Sequence, residues 1–299
     1  MKTLSLPDQS QTAAPTSLAQ SAVQLIRTMP LLVRLCSVWI VVVLGIALFA
    51  DFISPYSYSQ MDLLARLRPP AFWGGSSDHW LGTDELGRDV LSRLFHSVRI
   101  SLLVAFISTM LSATVGVLMG FAAAHFRGWV EQLVLTLVDF QASMPFMIIA
   151  LAVLAFFGNT LVLFIALMGF YGWERSARIA RGLTIAANEQ GYASAVYDLG
   201  ASPWRVYLRH ILPNIASTLI VSVTLTFPEV ILLESGLSFL GLGVQPPMTS
   251  LGNMVGYGRE YLQSAPWILL APSLFIVVTT FSVSMLGDWL RDLLDPTLN

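Results

Sequence analysis

Residues 100–124 carry no charged side chain. A helix over that stretch, rising about 1.5 Å per residue, reaches further than the roughly 30 Å hydrocarbon core of a bilayer. Lipid offers the backbone no hydrogen-bond partner, so such a run folds as a helix that satisfies its own N–H and C=O groups. Four more uncharged runs lie at residues 35–50, 140–172, 211–228 and 261–287. The run at 140–172 is too long for one helix and carries a turn signal at Gly158-Asn159-Thr160, which predicts two spans joined by a tight hairpin. The composition agrees: 55% hydrophobic and 11% charged residues are more than a water-soluble core of this size absorbs. The expectation is an all-α membrane protein with about six transmembrane helices.

The segments between the runs set the rest of the organisation. Residues 1–34 read as a polar tail, rich in Ser, Gln, Thr, Ala and Pro. The first apolar stretch starts late and lacks a small-x-small cleavage pattern, so it is expected to stay in the mature protein as a first span at 35–51. Residues 52–97 mix charges of both signs with Pro69-Pro70 and Gly74-Gly75, and form a loop outside the membrane. Residues 98–288 make a transmembrane domain interrupted at 174–210 by a polar segment of short amphipathic helices, and 289–299 form a second tail. With the N-terminus in the cytoplasm, ten Lys and Arg fall inside (Lys2, Arg27, Arg34, Arg127, Arg175, Arg178, Arg181, Arg205, Arg209, Arg291). Six fall outside (Arg66, Arg68, Arg88, Arg93, Arg99, Arg259), which predicts N-in, C-in.

Several functional classes are excluded or disfavoured. A net charge of −2 gives no basic field for nucleic acid. Cys36 is the lone cysteine, so neither an intrachain disulfide nor a Cys-based metal cluster is available. The four histidines, His79, His96, His125 and His210, are badly spaced for metal ligation, and no metal is expected. No Gly-x-x-x-x-Gly-Lys-Ser/Thr phosphate loop occurs, so the chain is expected to hydrolyse no ATP by itself and to carry no cofactor.

Three polar blocks carry the remaining information. In Gly191-Tyr192-Ala-Ser194-Ala195-Val196-Tyr-Asp-Leu-Gly200, running on to His210-Ile211-Leu212-Pro213, Gly200 separates two amphipathic stretches and permits a helix-turn-helix. Such an element can seat in a partner's groove, or it can be a solvated loop. The second block, His79-Trp-Leu-Gly82-Thr83-Asp84-Glu-Leu-Gly87-Arg88-Asp89-Val-Leu-Ser-Arg93, reads physically as a short helix capped by Asp84, with Asp89 and Arg93 paired at i, i+4. The third is Glu234-Ser-Gly-Leu-Ser238-Phe-Leu-Gly241-Leu-Gly243, where a carboxylate at a span end is either a functional group or a snorkelling one. Glu229, after Pro228, fits a pathway-lining role or a contact with a partner chain. Asp139 fits a relay carboxylate or a solvated one at the inner end of the third span.

These blocks resemble the membrane subunits of ABC importers for dipeptides, oligopeptides and nickel, specifically the C-type permease. The first is similar to the family's EAA loop, with Ser194, Ala195 and Val196 at the triplet. Ser194 stands for Glu, Val196 for Ala and His210 for Ile, while Gly200 and Pro213 keep their spacing. The second is similar to the family's Gly-Thr-Asp-x-x-Gly-Arg-Asp-x-x-Ser-Arg signature and the third to its Glu-Ala-x-Leu-Ser-Phe-Leu-Gly-Leu-Gly stretch. The resemblance implies a type I permease fold in a bacterial inner membrane and a heterodimer with a second permease. It also implies two ATP-binding subunits that hold ATP and Mg, and an extracytoplasmic substrate-binding protein. By the same resemblance Tyr192, Ser194, Ala195, Val196, Gly200, His210, Ile211, Leu212 and Pro213 couple to the ATPases. Gly82, Thr83, Asp84, Gly87, Arg88, Asp89, Glu229, Glu234, Ser238 and Gly241 become candidates for the extracytoplasmic face or the pathway. The cargo would be a peptide or related small solute, with a nickel or other metal chelate as the alternative. A self-sufficient secondary transporter or channel is the rival from another class, and it would favour internal repeats, of which none is convincing.

Overall fold

The computed structural model describes residues 29–189, Val196 and residues 199–294. Residues 1–28 of the tail expected at 1–34 and residues 295–299 of the one at 289–299 therefore lie outside the described residues, as do Tyr192, Ser194 and Ala195. Among the described residues the fold is helical, with a single isolated antiparallel bridge between Thr83 and Asp89.

Helix α1 (Leu31–Ile53) precedes a loop that holds two short 3-10 turns, Leu63–Ala65 and Ala71–Trp73. Helix α2 (Val90–Phe126) is the longest at 37 residues, and α3 (Gly128–Ser143) and α4 (Phe146–Phe157) follow it. Then come α5 (Leu161–Gly169), α6 (Trp173–Glu189) and α7 (Pro203–Val206), a π-helical turn at Tyr207–Ile211, and α8 (Leu212–Phe239). Helix α9 (Leu251–Gly258) and α10 (Trp267–Leu294) complete the chain. Among the described residues four stretches are long and apolar enough to cross a bilayer: α1, α2, Pro203–Phe239 and α10. The α3–α4 pair, bent by 90°, makes a fifth if it is one span. Helix α1 starts four residues before the expected 35, and α10 runs six residues past the expected 288, to Leu294.

The 140–172 region departs from the expected hairpin of two spans. The turn does fall at Gly158, which takes φ +83, but α4 has 12 residues and α5 only 9. These lengths, about 18 and 14 Å at the helical rise, are too short to cross alone. Pro145 produces the bend before α4: the residue ahead of a proline is pushed out of the helical region, and Met144 sits at φ −100, ψ 136.

Residues 174–189 also differ from expectation. They form most of one continuous helix, α6, rather than several short ones, and it lies along α2. Its buried face is built from Ser176, Ala177, Ala180, Thr184 and Ala187, and it meets Gly116 and Gly120 of α2. A Cβ on Gly116 would stand 2.5 Å from Ser176 Cβ, and one on Gly120 would stand 2.6 Å from the Ala177 carbonyl oxygen. Small residues let two backbones approach where lipid supplies no hydrophobic drive between helices.

Helix α1 is belted to the bundle by polar contacts. Trp39 Nε1 donates to Thr279 Oγ1 of α10 at 3.1 Å. Arg99 Nε of α2 donates to the Ala47 carbonyl at 2.6 Å, and its Nη1 lies 2.8 Å from Asp51. The α1 backbone leaves helical geometry at Phe49, beside the carbonyls that Arg99 takes. Two apolar clusters close the ends of the bundle. One joins Leu94 and Val98 of α2 to Ile231 and Leu237 of α8 and to Met254 and Ile268. The other joins Phe121, Ala180, Ala187, Val206, Tyr207 and Ile211 at the opposite end.

The seam gives a direct test. Gly120→Val must push its methyls into the α6 backbone, an overpacking that costs about 1–3 kcal/mol. It is expected to lower the thermal midpoint of the purified protein in detergent. Gly182→Ala, where nothing lies within 4 Å, is expected to leave the midpoint unchanged. Equal midpoints for both variants would remove the seam from the account of the fold.

Candidate functional site

The candidate residues fall at three levels of the bundle. At the end carrying the 52–97 loop, the Gly82–Arg93 block is a tight turn bonded inward. Asp84 is fully buried. Its Oδ1 accepts from the backbone N–H groups of Leu86 and Arg88, both at 2.9 Å, and its Oδ2 accepts from Arg88 Nε at 2.7 Å and from Arg93. The expected Asp89–Arg93 pair is not formed: Arg93 goes to Asp84, while Asp89 caps α2 through the Ser92 N–H at 2.8 Å and meets His79 Nδ1 at 3.0 Å. Asp84 is accordingly not a helix cap but the centre of the turn. Thr83 accepts from the Arg68 N–H at 2.8 Å and donates to the Ala65 carbonyl, and its own carbonyl accepts from Trp267 Nε1 at 3.1 Å. Gly82 and Gly87 have φ of +77 and +70, and a Cβ on Gly87 would lie 1.7 Å from the Asp62 carbonyl oxygen, so no side chain fits there. The block clamps the 62–70 segment, α2 and α10 together. Beside it lies a cavity of about 580 Å3 lined by Tyr58, Glu85, Arg88, Pro246, Met248 and Tyr257 among others.

Glu234 sits in α8, with 0% of its surface exposed. It accepts from Ser238 Oγ at 2.7 Å, Ser101 Oγ of α2 at 3.2 Å and Ser235 Oγ at 3.4 Å, with no cation among its hydrogen-bond partners. Ser101 Oγ in turn accepts from the Leu251 N–H at 3.0 Å, and Ser250 Oγ bonds Ser238 Oγ at 3.2 Å. The carboxylate therefore ties α2, α8 and the start of α9 into one hydroxyl-lined node. Gly241 takes φ +85 just beyond the helix end, in open space.

Further along the bundle, Glu229 pairs with Arg175 at 3.1 Å and accepts from the Tyr171 hydroxyl at 3.3 Å. Asp139 pairs with Arg178 at 2.8 Å and Glu131 pairs with Arg181. Arg175, Arg178 and Arg181 of α6 thus each meet a carboxylate from α3 or α8. Sequence reasoning missed Arg175 and Tyr171 as Glu229's partners. The available signal was the three-residue spacing of the arginines, which puts them along one stripe of a helix.

At the opposite end stand the described members of the proposed coupling loop. Gly200 has φ +82 with nothing within 4 Å of a Cβ, and the Ala201 N–H bonds the Val196 carbonyl at 3.2 Å across the turn. Ile211 is fully buried against Phe121, Ala180 and Tyr207, Val196 is partly buried there, and Pro213 is exposed near the start of α8. Leu212 and His210 are half-buried. The turn leaves Leu199 and Trp204 largely in the open, at 87% and 65% exposure. Neither was singled out from the sequence.

A bundle with several membrane-crossing helices, a broken helix packed along its longest member and an apolar turn offered at one end defines a multi-pass membrane permease. Residues 114–299 match the family described as "Binding-protein-dependent transport system inner membrane component", and residues 32–70 match "N-terminal TM domain of oligopeptide transport permease C". The chain belongs to the family of binding-protein-dependent transport membrane components. It is 36% identical to the oligopeptide transport system permease protein OppC of Bacillus subtilis, covering 87% of this chain and 83% of that one. It is 33% identical to the glutathione transport system permease protein GsiD of Pectobacterium atrosepticum, covering 87% and 85%. Among solved structures, an inward-facing form of the MetNI methionine ABC transporter matches with a TM-score of 0.51 at 17% identity, over 69% of this chain and 97% of that one. The fold is that of a type I ABC-importer permease. The chain is a translocation subunit of an ABC importer and works with other subunits of such a transporter.

Glu234→Ala would strip the node of its acceptor and leave buried hydroxyls unpaired, at about 1–3 kcal/mol. A clear fall in thermal midpoint in detergent is expected, with Glu234→Gln milder because an amide oxygen still accepts. An unchanged midpoint for Glu234→Ala would show that the node does not hold α2 to α8.

Proposed function

We propose that this subunit forms half of the pathway by which an ATP-driven importer moves peptides or closely related solutes across a bacterial inner membrane. In this reading it pairs with a second permease above two ATP-binding subunits, which hold ATP and Mg, and receives cargo from an extracytoplasmic binding protein. It hydrolyses no ATP itself and needs no cofactor of its own. The observation that carries the reading is the turn at Gly200. Leu199 and Trp204 are exposed on either side of it, while Val206, Tyr207 and Ile211 anchor the same element to α2 and α6. Large apolar side chains held in the open on a rigid base suit a protein partner. Movement of that partner would pass through the Ile211–Phe121 packing to the spans. Peptide cargo is favoured by relatives whose names specify oligopeptide and glutathione transport.

The Gly200 turn is assigned to the cytoplasm and the 52–97 loop to the exterior, with the segments before α1 and after α10 both inside. Arg175 is paired with Glu229, and with it left out of the loop count the balance becomes nine inside against six outside, in the same sense. Single cysteines at the exposed positions Ser202 and Ser77, in a Cys36→Ala background, are expected to react from the cytoplasm and the exterior respectively. The reverse pattern would overturn the orientation.

The coupling role has its own test. Gly200→Val places a β-branched residue at φ +82, a backbone strain of about 1–3 kcal/mol with no steric clash to propagate inward. The variant is expected to insert at normal levels and lose ATP-driven uptake in the reconstituted complex. Co-purification of the ATP-binding subunits then distinguishes failed docking from idle hydrolysis. Full uptake would withdraw the turn from the coupling mechanism.

A further inference from the structure

Tyr171, Arg175 and Glu229 come from three places in the chain: the break between α5 and α6, the first turn of α6, and the residue after Pro228 in α8. Their depth can be read against α2. Ser112 is the central residue of the uncharged 100–124 stretch, about 18 Å of helix from either end. Its hydroxyl donates to the Tyr171 carbonyl at 2.6 Å. A Cβ on Gly172 would lie 3.5 Å from that hydroxyl and 3.1 Å from Thr226 Cγ2. The break in the helix and Thr226 are therefore at mid-depth, and Glu229 is three residues along α8, about 4.5 Å further.

An ion pair at this depth cannot stand against lipid without a large penalty. Yet the Arg175 and Glu229 side chains are 48% and 37% exposed. Glu234 shows the contrasting arrangement, a carboxylate sealed away among hydroxyls. The open face of the Arg175–Glu229 pair is consequently turned to water or to another subunit. Local charge favours a ligand. Glu174 acts electrostatically on both Tyr171 and Arg175, so two carboxylates stand against one guanidinium. The buried Glu174 Oε2 has no hydrogen-bond partner, and Pro228 deprives the Thr224 carbonyl of its usual helical donor. Acceptors outnumber donors around a helix broken at a positive-φ glycine (Gly172, φ +81), the kind of discontinuity that builds solute sites at mid-membrane in other transporters.

We infer that Tyr171, Arg175 and Glu229 form a solute site on the translocation pathway, at which the ammonium group of a peptide displaces Arg175 from Glu229. The inference rests on the importer reading above. Tyr171 is the positioning residue, holding one carboxylate oxygen by its hydroxyl while the other oxygen takes the ligand. The Arg175–Glu229 pair joins α6 to α8, so its exchange for cargo also unfastens the two helices at mid-depth.

The test uses the complete complex in proteoliposomes, with ATP and Mg at the ATP-binding subunits, a labelled dipeptide and loaded binding protein. Uptake by the unmutated complex is measured first; its absence would sink the importer reading itself, and the site with it. Glu229→Gln is expected to lower uptake by about ten- to a hundredfold, the scale of one lost charge-assisted hydrogen bond, with Glu229→Asp recovering part of it. The exchange of both charges, Arg175→Glu with Glu229→Arg, rebuilds an internal pair and is expected to stay inactive. Restored uptake by that double variant would mean the pair is only a brace. Loss of the second permease on purification of Glu229→Gln would mean it is a subunit contact. A cysteine at 229 in the Cys36→Ala background is expected to react with a water-soluble cationic thiol reagent in the assembled complex. Failure to react would overturn the site.

Discussion

Gly116 and Gly120 of α2 meet Trp173, Ser176, Ala177 and Ala180 of α6 at a seam with no room for a Cβ on either glycine. Everything at mid-depth depends on it. A larger residue on either glycine would hold α6 away from α2, and the Tyr171 carbonyl would lose its hydrogen bond from Ser112. The α6 arginines would then no longer reach the carboxylates of α3 and α8. In lipid, dispersion and hydrogen bonds must supply what hydrophobic collapse supplies in water, and both fall off steeply with separation. Two missing side chains on α2 thus decide where three cations sit.

Those cations explain how a helix as polar as α6 can lie inside a membrane protein. Its inner face is Ala, Ser and Thr against α2, and its outer stripe is Arg175, Arg178 and Arg181, each met by Glu229, Asp139 or Glu131. The three pairs are not equivalent. Glu131 is 21% and Arg181 30% exposed, whereas Asp139 is 74% exposed. Glu229 is tied in addition to Tyr171, at the level where the surroundings are least able to solvate a charge. Along the helix the middle pair, Arg178–Asp139, is the most open and Arg181–Glu131 the most sheltered.

How much of this was legible in the sequence follows from what each rule measures. Uncharged length found α1, α2, α8 and α10, because lipid contact demands it of any crossing helix. At 140–172 the rule takes no account of Pro145, beyond which the chain turns by 90° between α3 and α4. It does not reach α6, whose Ala-Ser face carries little hydropathy and whose arginines are paired with residues 39, 50 and 54 positions away. In the Gly82–Arg93 block the positive φ of Gly82 and Gly87 was not read from the sequence. Nor were the ion partners, because the i, i+4 rule presumes a helix and Asp84 sits in a turn. Leu199 and Trp204 were invisible as a pair, since only the fold exposes both beside Gly200.

The two ends of the molecule show how polar groups are distributed between holding and moving. At the 52–97 end the buried polar atoms of Thr83, Asp84 and Asp89 are engaged by neighbours in the same chain, and the glycines admit no side chain without moving backbone. That end is close to saturated, the buried Glu85 Oε2 being an exception without a hydrogen-bond partner. At the Gly200 end nothing lies within 4 Å of a Cβ on the glycine, and Leu199 and Trp204 are largely exposed. Between them, the Arg175–Glu229 pair has electrostatic partners yet remains open to exchange. An interaction that is satisfied but replaceable, between a saturated end and an unsaturated one, is where a remote ligand can bias two arrangements of the same helices at small energetic cost.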